Sequence, residues 1–569
     1  MTQPCPTDRP NRPTHTGKLV CTTLISALAG VWSCTSALAF EISPDIPGLN
    51  IRWDQTVRAN LGVRTEKADS RILANPTYDE SDGKFERGDM VTGRLDLLSE
   101  LDLNYRNTVG MRVSAALWYD HAYNDTSVRS RVPGYATSYT NDEYNNTVKR
   151  YTRGPSGEVL DAFLWANFKL FDKPANLKVG RVTNYWGEAY VLGAHAISYS
   201  QSPVDGVKAV NSPGIELKEV FLPVGQAYLK LQPTPDLSLA AQYFYDWKPS
   251  RLPYGGTYFG PADPFFEGPD RLPVDGAGNS LRHAHSIKPK KAGNWGLSAK
   301  LNLEAIESTL GLYHRRFDDY NPWFAPNVTG FVTVPGVGTV PTAWQLSYPK
   351  NVSIWGASLA RVVGPVSVSG EVSLRQKGAL NTAGINPMDG EGPRGDTWHA
   401  LVNGVYLLPK TAFSDTGSLV AELAYSRLSK VRSNASLYKG VGTAGCLDPL
   451  NQPGGKSDGC STRDYLGMAV IFTPQYLQVM PSWDLDIPVS VTYGLHGNAA
   501  SSGGGNEGAL SWSVGAKLTY AKKHEFQLLY ADTHASSKYD PSGRVLVGGN
   551  GGNSTNDRGW LALTYKTGF

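Results

Sequence analysis

The chain contains many segments in which apolar and polar residues alternate with a period of two, most clearly in its last ten residues. On residues 560–569 one face carries, in order from the end, Phe569, Thr567, Tyr565, Leu563 and Leu561. Alternation of this kind is typical of a strand with one side toward lipid and the other toward water. The segment is therefore predicted to be the final strand of a membrane barrel.

The first long segment of the same kind, residues 49–64, places three arginines on its polar face: Arg52, Arg58 and Arg64. A soluble protein would not bury three arginines on one strand face, whereas a water-filled lumen accommodates them. This strand is expected to pair with the last one, because a closed barrel leaves no backbone group unpaired in hydrocarbon.

The same alternation predicts about eighteen antiparallel strands, with sixteen as the alternative count. Short and long connectors alternate along the chain, which is typical of periplasmic turns and extracellular loops. We therefore predict an all-β, transmembrane up-and-down β-barrel. The predicted strands are 49–64, 94–105, 109–120, 158–170, 176–186, 219–231, 237–247, 294–303, 307–317, 351–363, 366–375, 397–408, 418–428, 463–473, 484–495, 510–520, 524–532 and 558–569.

The N-terminal residues 1–39 read as a signal peptide, with a basic start, an apolar run and an Ala-Leu-Ala cleavage site, so that 40–569 form one barrel domain. Removing this segment lowers the formal net charge from +3 to +1. The balance indicates no nucleic-acid partner. Charged residues are 18% and aromatic residues 11% of the chain, a mixture that suits a barrel with interfacial aromatic girdles.

The stretch Leu-Lys-Val-Gly-Arg-Val-Thr-Asn-Tyr-Trp-Gly-Glu at 177–188 resembles a family of Gram-negative outer-membrane proteins known as domain of unknown function 1302. Residues 216–223, 99–103 and 118–120 are similar to that family too. Val182 stands where the family often has Gln. The resemblance implies an outer-membrane barrel often proposed to pass apolar or aromatic nutrients, with no established substrate and no catalytic residues.

Charged residues on neighbouring strands are candidates for the lining of the lumen. The basic face of residues 49–64 would lie beside a strand that carries acidic side chains inward, and opposite charges on adjacent strands pair. Such pairs either orient dipolar solutes or brace the wall. The candidates are Arg52, Arg58, Arg64, Asp96, Glu100, Asp102 and Arg112.

The segment 186–218 is a candidate for a constriction, because it follows the distinctive 177–188 stretch and carries few charges before Asp205. Such a loop could fold inward without burying many ions. Trp186, Glu188 and His195 would then lie near the pore, with Arg181 as a partner for Glu188. The alternative is an ordinary exposed loop.

Two long loops are unusually apolar and are candidates for ligand capture. One carries Trp323, Phe324 and Phe331, and the other carries Phe265 and Phe266. The alternative is that these loops pack on each other as a lid.

A third loop contains Cys446 and Cys460, which are expected to form a disulfide in an oxidising compartment. Unpaired thiols are the alternative.

Together these features predict a porin-like channel in the outer membrane of a Gram-negative bacterium, for passive uptake of small apolar or aromatic organic molecules. The alternative is a non-transporting barrel that acts as a scaffold or as a secretion or assembly partner. Neither an enzyme nor a cofactor nor a metal is indicated. The expected partners are lipid, a small-molecule ligand and, through the terminal Phe569, the barrel-assembly machinery.

Overall fold

The computed structural model describes residues 40–42, 44, 46–264, 266–336 and 338–569, and they form a closed antiparallel barrel. The sheet contains twenty strand segments. One is the short flank Phe40–Ile42, and two are halves of one interrupted strand, so the described wall has eighteen strands, as predicted. The predicted signal peptide 1–39 lies outside the described residues.

The wall strands are numbered here in chain order. They are β1 Leu49–Arg64, β2 Met90–Tyr105, β3 Val109–Asp120, β4 Ser156–Leu170, β5 Lys173–Val182, β6 Val224–Leu231, β7 Leu237–Phe244, β8 Trp295–Leu303, β9 Ser308–Phe317, β10 Val352–Val363, β11 Val366–Ala379, β12 Arg394–Leu408, β13 Thr416–Ser433, β14 Asp464–Met480, β15 Trp483–Asp486 with Val489–His496, β16 Leu510–Tyr520, β17 His524–His534 and β18 Trp560–Gly568.

The barrel closes where β1 pairs with β18. Nine residue pairs join them, from Thr56 opposite Gly568 to Arg64 opposite Trp560. The lower part of β1 extends past the end of β18, and there Phe40–Ile42 pairs with it. Closure satisfies the backbone of the first and last strands, as predicted for a chain that crosses hydrocarbon without helices.

The two faces of the wall differ as the alternation predicts. Outward side chains such as Leu95, Leu312, Trp355 and Leu563 are exposed, while their inward neighbours include many buried polar groups. A concavity of about 780 Å³ on the outer wall is lined mainly by aliphatic and aromatic side chains and belongs to this lipid-facing band. An even-stranded, closed antiparallel barrel with an apolar outer band is an outer-membrane protein.

The connections are asymmetric in length. Turns at one end are as short as Phe171-Asp172, where both residues adopt left-handed backbone (φ 51° and 58°), as a two-residue hairpin between twisted strands requires. At the other end the loops reach about fifty residues. By the usual asymmetry, the short turns are periplasmic and the long loops extracellular.

The long loops have structure of their own. Loop segments from two different connections form a four-stranded sheet, and a cluster rich in tyrosine joins two loops to residues of the segment that follows β5. None of the described helices is long and apolar enough to cross a membrane. The loop strands are Arg271–Pro273, Ser280–His283, Asn327–Thr329, Val332–Val334, Gly338–Val340, Ala343–Gln345, Ser536–Tyr539 and Leu546–Asn550, and the short α-helices are Ser70–Leu73, Asp79–Asp82, Asn146–Val148, Gly206–Asn211 and Leu217–Val220.

Candidate functional site: the inner loop and the passage beside it

The connection between β5 and β6, residues 183–223, enters the barrel and is called here the inner loop. Its first half contacts the inward faces of strands from β7 to β14, and its second half contacts β1, β2, β4 and β18. It therefore reaches both sides of the lumen.

The wall holds the first half of the inner loop by its backbone. On β13, the Glu422 carboxylate accepts the N–H groups of Tyr190 (2.7 Å), Val191 (3.0 Å) and Leu192 (2.5 Å). On β11, Glu371 accepts two further N–H groups, from residues 188 and 197, at 2.7 Å each. These five bonds satisfy amides that have no strand partner, and bonds to a charged acceptor are the strong kind.

A cation on the wall binds carbonyl groups of the same half of the loop. The Arg315 guanidinium of β9 donates to the carbonyl oxygens of Ile197 (2.9 Å), Tyr199 (2.8 Å) and Ser200 (2.7 Å). Carboxylates on N–H groups and a guanidinium on C=O groups together fix the path of the loop.

Two glycines in the wall make room for the loop. A Cβ on Gly296 of β8 would lie 2.7 Å from the Trp186 ring, and a Cβ on Gly356 of β10 would lie 2.6 Å from Ile197. Trp186 and Ile197 are buried together with Tyr313 of β9. The loop is thus packed against the wall as well as hydrogen-bonded to it.

The second half of the inner loop is held by ion pairs. Arg58 of β1 is 1% exposed and donates to both carboxylate oxygens of Glu219, at 3.0 and 3.2 Å. Ser212 bridges Arg58 and Asp96 at 3.0 and 2.8 Å. Lys218 pairs with Glu100 at 2.5 Å. Buried charges are tolerated when they are paired and hydrogen-bonded in this way.

His195 packs at the centre of the inner loop. One ring nitrogen lies 3.1 Å from a ring nitrogen of His399, the other lies 2.8 Å from the carbonyl oxygen of Gly504, and the ring stacks on Tyr465. Burial, together with nearby Arg375, lowers the pKa of His195 to about 4, so the ring is neutral at physiological pH.

The inward faces of β14 to β16 carry mainly small and polar side chains, and we call this part of the wall the open sector. Its members pair across strands, as in the Ser490–Ser513 hydrogen bond of 2.7 Å. Inward-facing Ser511, at the extracellular end of β16, is exposed, so water reaches the inner face of the wall at this end. The open-sector residues are Ser490, Thr492, Ser511, Ser513 and Gly515, whereas Gly467, Ala469 and Gly494 beside them are buried.

The inner loop presents side chains to the space beside it. Next to the wall contact at Glu422, Tyr190 is 58% and Val191 is 39% exposed. Because β13 adjoins the open sector, these two side chains lie at its edge. On the other edge, Glu216 of the loop pairs with Lys566 of β18 at 3.0 Å.

A vestibule of about 860 Å³ lies among the extracellular loops, most of it lined by the loops that follow β13, β15 and β17. It is therefore associated with the same side of the barrel as the open sector. Its wall is mixed: Phe266 and Phe324 meet edge to face at 5.7 Å, while Asn381, Lys439 and Asp458 supply polar groups. In the loop after β13, Cys446 and Cys460 form a disulfide.

The aromatic residues predicted for ligand capture occupy different places. Phe266 and Phe324 line the vestibule. Trp323 is 1% exposed, packs among loop side chains and donates to the Pro393 carbonyl, so it presents no surface to a ligand. Phe331 is exposed beside a loop hairpin that does not line the vestibule, and Phe265 lies outside the described residues.

The predicted partnership between Arg181 and Glu188 is wrong. Arg181 shares the outward face of β5 with Val179, and Glu188 lies 3.7 Å from Lys300 instead. Arg52, at the exposed periplasmic end of β1, binds Asp54 on its own strand at 2.7 Å.

The remaining charged candidates lie inside the barrel. Arg64 pairs with Asp82 at 2.8 Å and Asp557 at 3.3 Å, and Arg112 bridges Glu100 and Asp102. Trp186, Glu188 and His195 all belong to the inner loop, but Trp186 and His195 are buried beneath its surface.

Sequence reasoning missed the residues that border the free space, Tyr190 and Val191, as well as their anchor Glu422. Glu422 and Glu371 carried a signal, since each is an isolated carboxylate on the inward face of an otherwise uncharged strand centre. The described residues contain no group of three His, Cys, Asp or Glu side chains able to hold a metal.

Comparison with solved structures finds outer-membrane porins at low similarity. The structure of OpdK from Pseudomonas aeruginosa with vanillate has 11% identity and a TM-score of 0.40, covering 91% of this chain and 98% of that one. OccAB3 from Acinetobacter baumannii has 10% identity and a TM-score of 0.39, with 91% and 99% covered. A BenF-like porin from Pseudomonas fluorescens Pf-5 has 11% identity and a TM-score of 0.38, with 91% and 98% covered.

A search of curated protein sequences finds no match. The family described as "Protein of unknown function (DUF1302)" matches residues 20–569, which confirms the resemblance seen in the sequence. The chain is a member of the DUF1302 family, and its structure is that of an outer-membrane β-barrel with porin-like architecture.

Proposed function

We propose that this barrel is a channel for passive diffusion of small organic molecules with an apolar or aromatic part across the outer membrane. The observation that carries the proposal is the vestibule of about 860 Å³ on the side of the barrel where the inner loop leaves the wall uncovered. A solute would enter the vestibule, pass Tyr190 and Val191, and leave along the open sector.

The lining of the vestibule supports the substrate class. Pockets for small organic ligands combine apolar surface with a few placed polar groups. Here Phe266, Phe324 and Leu252 supply the apolar part, and Asn381 and Lys439 the polar part. The open sector then offers hydroxyl groups and glycines, against which a solute can slide without meeting an unpaired charge.

The test is a cysteine scan of the refolded barrel in planar bilayers. Ser511→Cys, in the open sector, is expected to react with a bulky methanethiosulfonate reagent and lose most of its current. Ser373→Cys is the matched control: it also faces inward but is buried. The described cysteines are joined in the disulfide, so they do not react. Equal block of both variants would contradict the proposed route.

A closed scaffold is the second candidate, favoured by the many ion pairs that hold the inner loop across the lumen. It predicts no steady conductance from the intact barrel and none after deletion of residues 187–200. A channel predicts conductance that rises on this deletion.

A further inference from the structure

A second cavity, of about 330 Å³, lies in the loops next to the vestibule and is called here the Lys248 pocket. It shares Leu252 and Phe266 with the vestibule lining, so the two spaces are neighbours. Its volume is at the lower end of the range for small-ligand pockets. It is lined by basic and aromatic side chains in unusual number.

Two of the three basic residues in the lining are neutralised by carboxylates. Arg251 pairs with Asp205 at 2.5 Å and with Glu158, and Glu158 also binds Lys208 at 2.8 Å. These two cations and two anions balance.

The second neutralised base is Lys288, which lies 3.4 Å from Glu267. That pair also balances.

Lys248 is the third base, and it has no ion pair with any described residue. Burial is the main reason that its pKa falls to about 8, and the positive charges of Arg181 and Arg251 lower it further. The carboxylates of Glu158 and Asp246 act in the opposite direction. Of the three basic residues in the lining, Lys248 is therefore the one whose charge is not neutralised by an ion pair with a described residue.

Most of the rest of the lining is apolar. Leu252 and Phe266 are partly exposed and supply an apolar surface. Tyr254, Leu346 and Tyr348 also border the pocket, but they are buried, and the Tyr348 hydroxyl donates to Glu267 at 2.9 Å. A lysine together with aromatic and aliphatic side chains matches a small organic anion with a hydrophobic body.

We infer that the Lys248 pocket binds small monocarboxylates with an aromatic or aliphatic body, the carboxylate on the Lys248 ammonium and the body against Leu252 and Phe266. The inference rests on the proposed channel function, because it names the class of solutes that a pocket beside the vestibule would concentrate at the channel entrance. A single carboxylate would give the Lys248 ammonium the ion-pair partner that it lacks among the described residues.

The test is calorimetric titration of the refolded full-length barrel in detergent with benzoate, and with benzamide as its neutral isostere. Benzoate is expected to bind about ten- to a hundredfold more tightly than benzamide, as a charge-assisted hydrogen bond implies. Lys248→Gln should remove that difference. Lys291→Gln, at an exposed lysine of the same loop outside the pocket lining, should leave it intact.

Equal binding of benzoate and benzamide, or unchanged benzoate affinity in Lys248→Gln, would overturn the inference, as would the absence of benzoate binding to the wild type. The heat-modifiable gel mobility of each variant shows that it is folded. Failure of this site is distinguishable from failure of the channel: the Ser511→Cys block measures passage without reference to carboxylates, while calorimetry measures binding in a barrel that need not conduct.

Discussion

Replacing Glu422 by alanine should release the part of the inner loop that borders the open sector. The carboxylate accepts three backbone N–H groups, from residues 190, 191 and 192, at 2.5 to 3.0 Å. A hydrogen bond to a charged group contributes about 1.5–3 kcal/mol. The three bonds share one carboxylate, so we take about 3–5 kcal/mol in total, the range for removing one partner of a buried charged pair.

Each 1.4 kcal/mol corresponds to about a factor of ten. Local opening of residues 190–192 should therefore become about a hundredfold to several thousandfold more frequent. Hydrogen–deuterium exchange of the refolded barrel measures this directly, because the protection of these amides should fall by the same factor. Protection of residues 205–219, which other side chains hold, should not change.

Asp415→Asn is the matched control. Its carboxylate also accepts a backbone N–H, from Leu477 at 3.1 Å, but it lies in a periplasmic turn far from the inner loop along the strands. Unchanged exchange at residues 190–192 in Glu422→Ala would refute the idea that the β13 carboxylate holds the loop. Faster exchange throughout the chain would instead indicate general destabilisation.

Three further outcomes are expected. Arg58→Met should lower the free energy of unfolding by about 3–5 kcal/mol in a urea titration, since it leaves Glu219 buried without its partner; no change would show that this ion pair is dispensable. The pKa of His195 is about 4 instead of 6.5, so its neutral ring gives full stability above about pH 6.5, and docking of the inner loop should weaken as the pH falls toward 4. His195→Asn should flatten that dependence in a conductance or proteolysis assay, and an equally steep dependence in this variant would assign it to another group. Leu312→Arg, on the lipid face, should cost about 2–4 kcal/mol in a folding titration into vesicles; a neutral effect would contradict the assignment of that face.

The ion pairs in the lumen fix the position of the inner loop more than they increase the free energy of unfolding. A buried pair recovers in Coulomb attraction little beyond the desolvation that it costs. What Arg58, Glu219 and Asp96 provide is a single geometry, because any other placement of the loop would leave charges buried without partners. The inner loop is therefore held in one position on the β1 side. At its edge beside the open sector, its position depends on the hydrogen bonds to Glu422.

The alternation of apolar and polar residues determined the barrel, its strand count and the face on which each wall residue lies. This is so because a strand has a period of two and lipid on one side demands apolar side chains at every second position. Val179 and Arg181 lie on one outward face of β5, as their spacing of two residues indicates, and the inward position predicted for Arg181 from its closeness to Glu188 in the sequence is wrong.

Only the tertiary structure decided which part of the lumen is filled. Alternation reports that Ser373 and Ser511 both face inward, and it does not report that one is buried while the other is exposed. That difference arises from contacts such as those of Glu422 with residues about 230 positions away. The same holds for the Lys248 pocket. Which of its basic residues has an ion-pair partner depends on distances in the folded protein and not on sequence order.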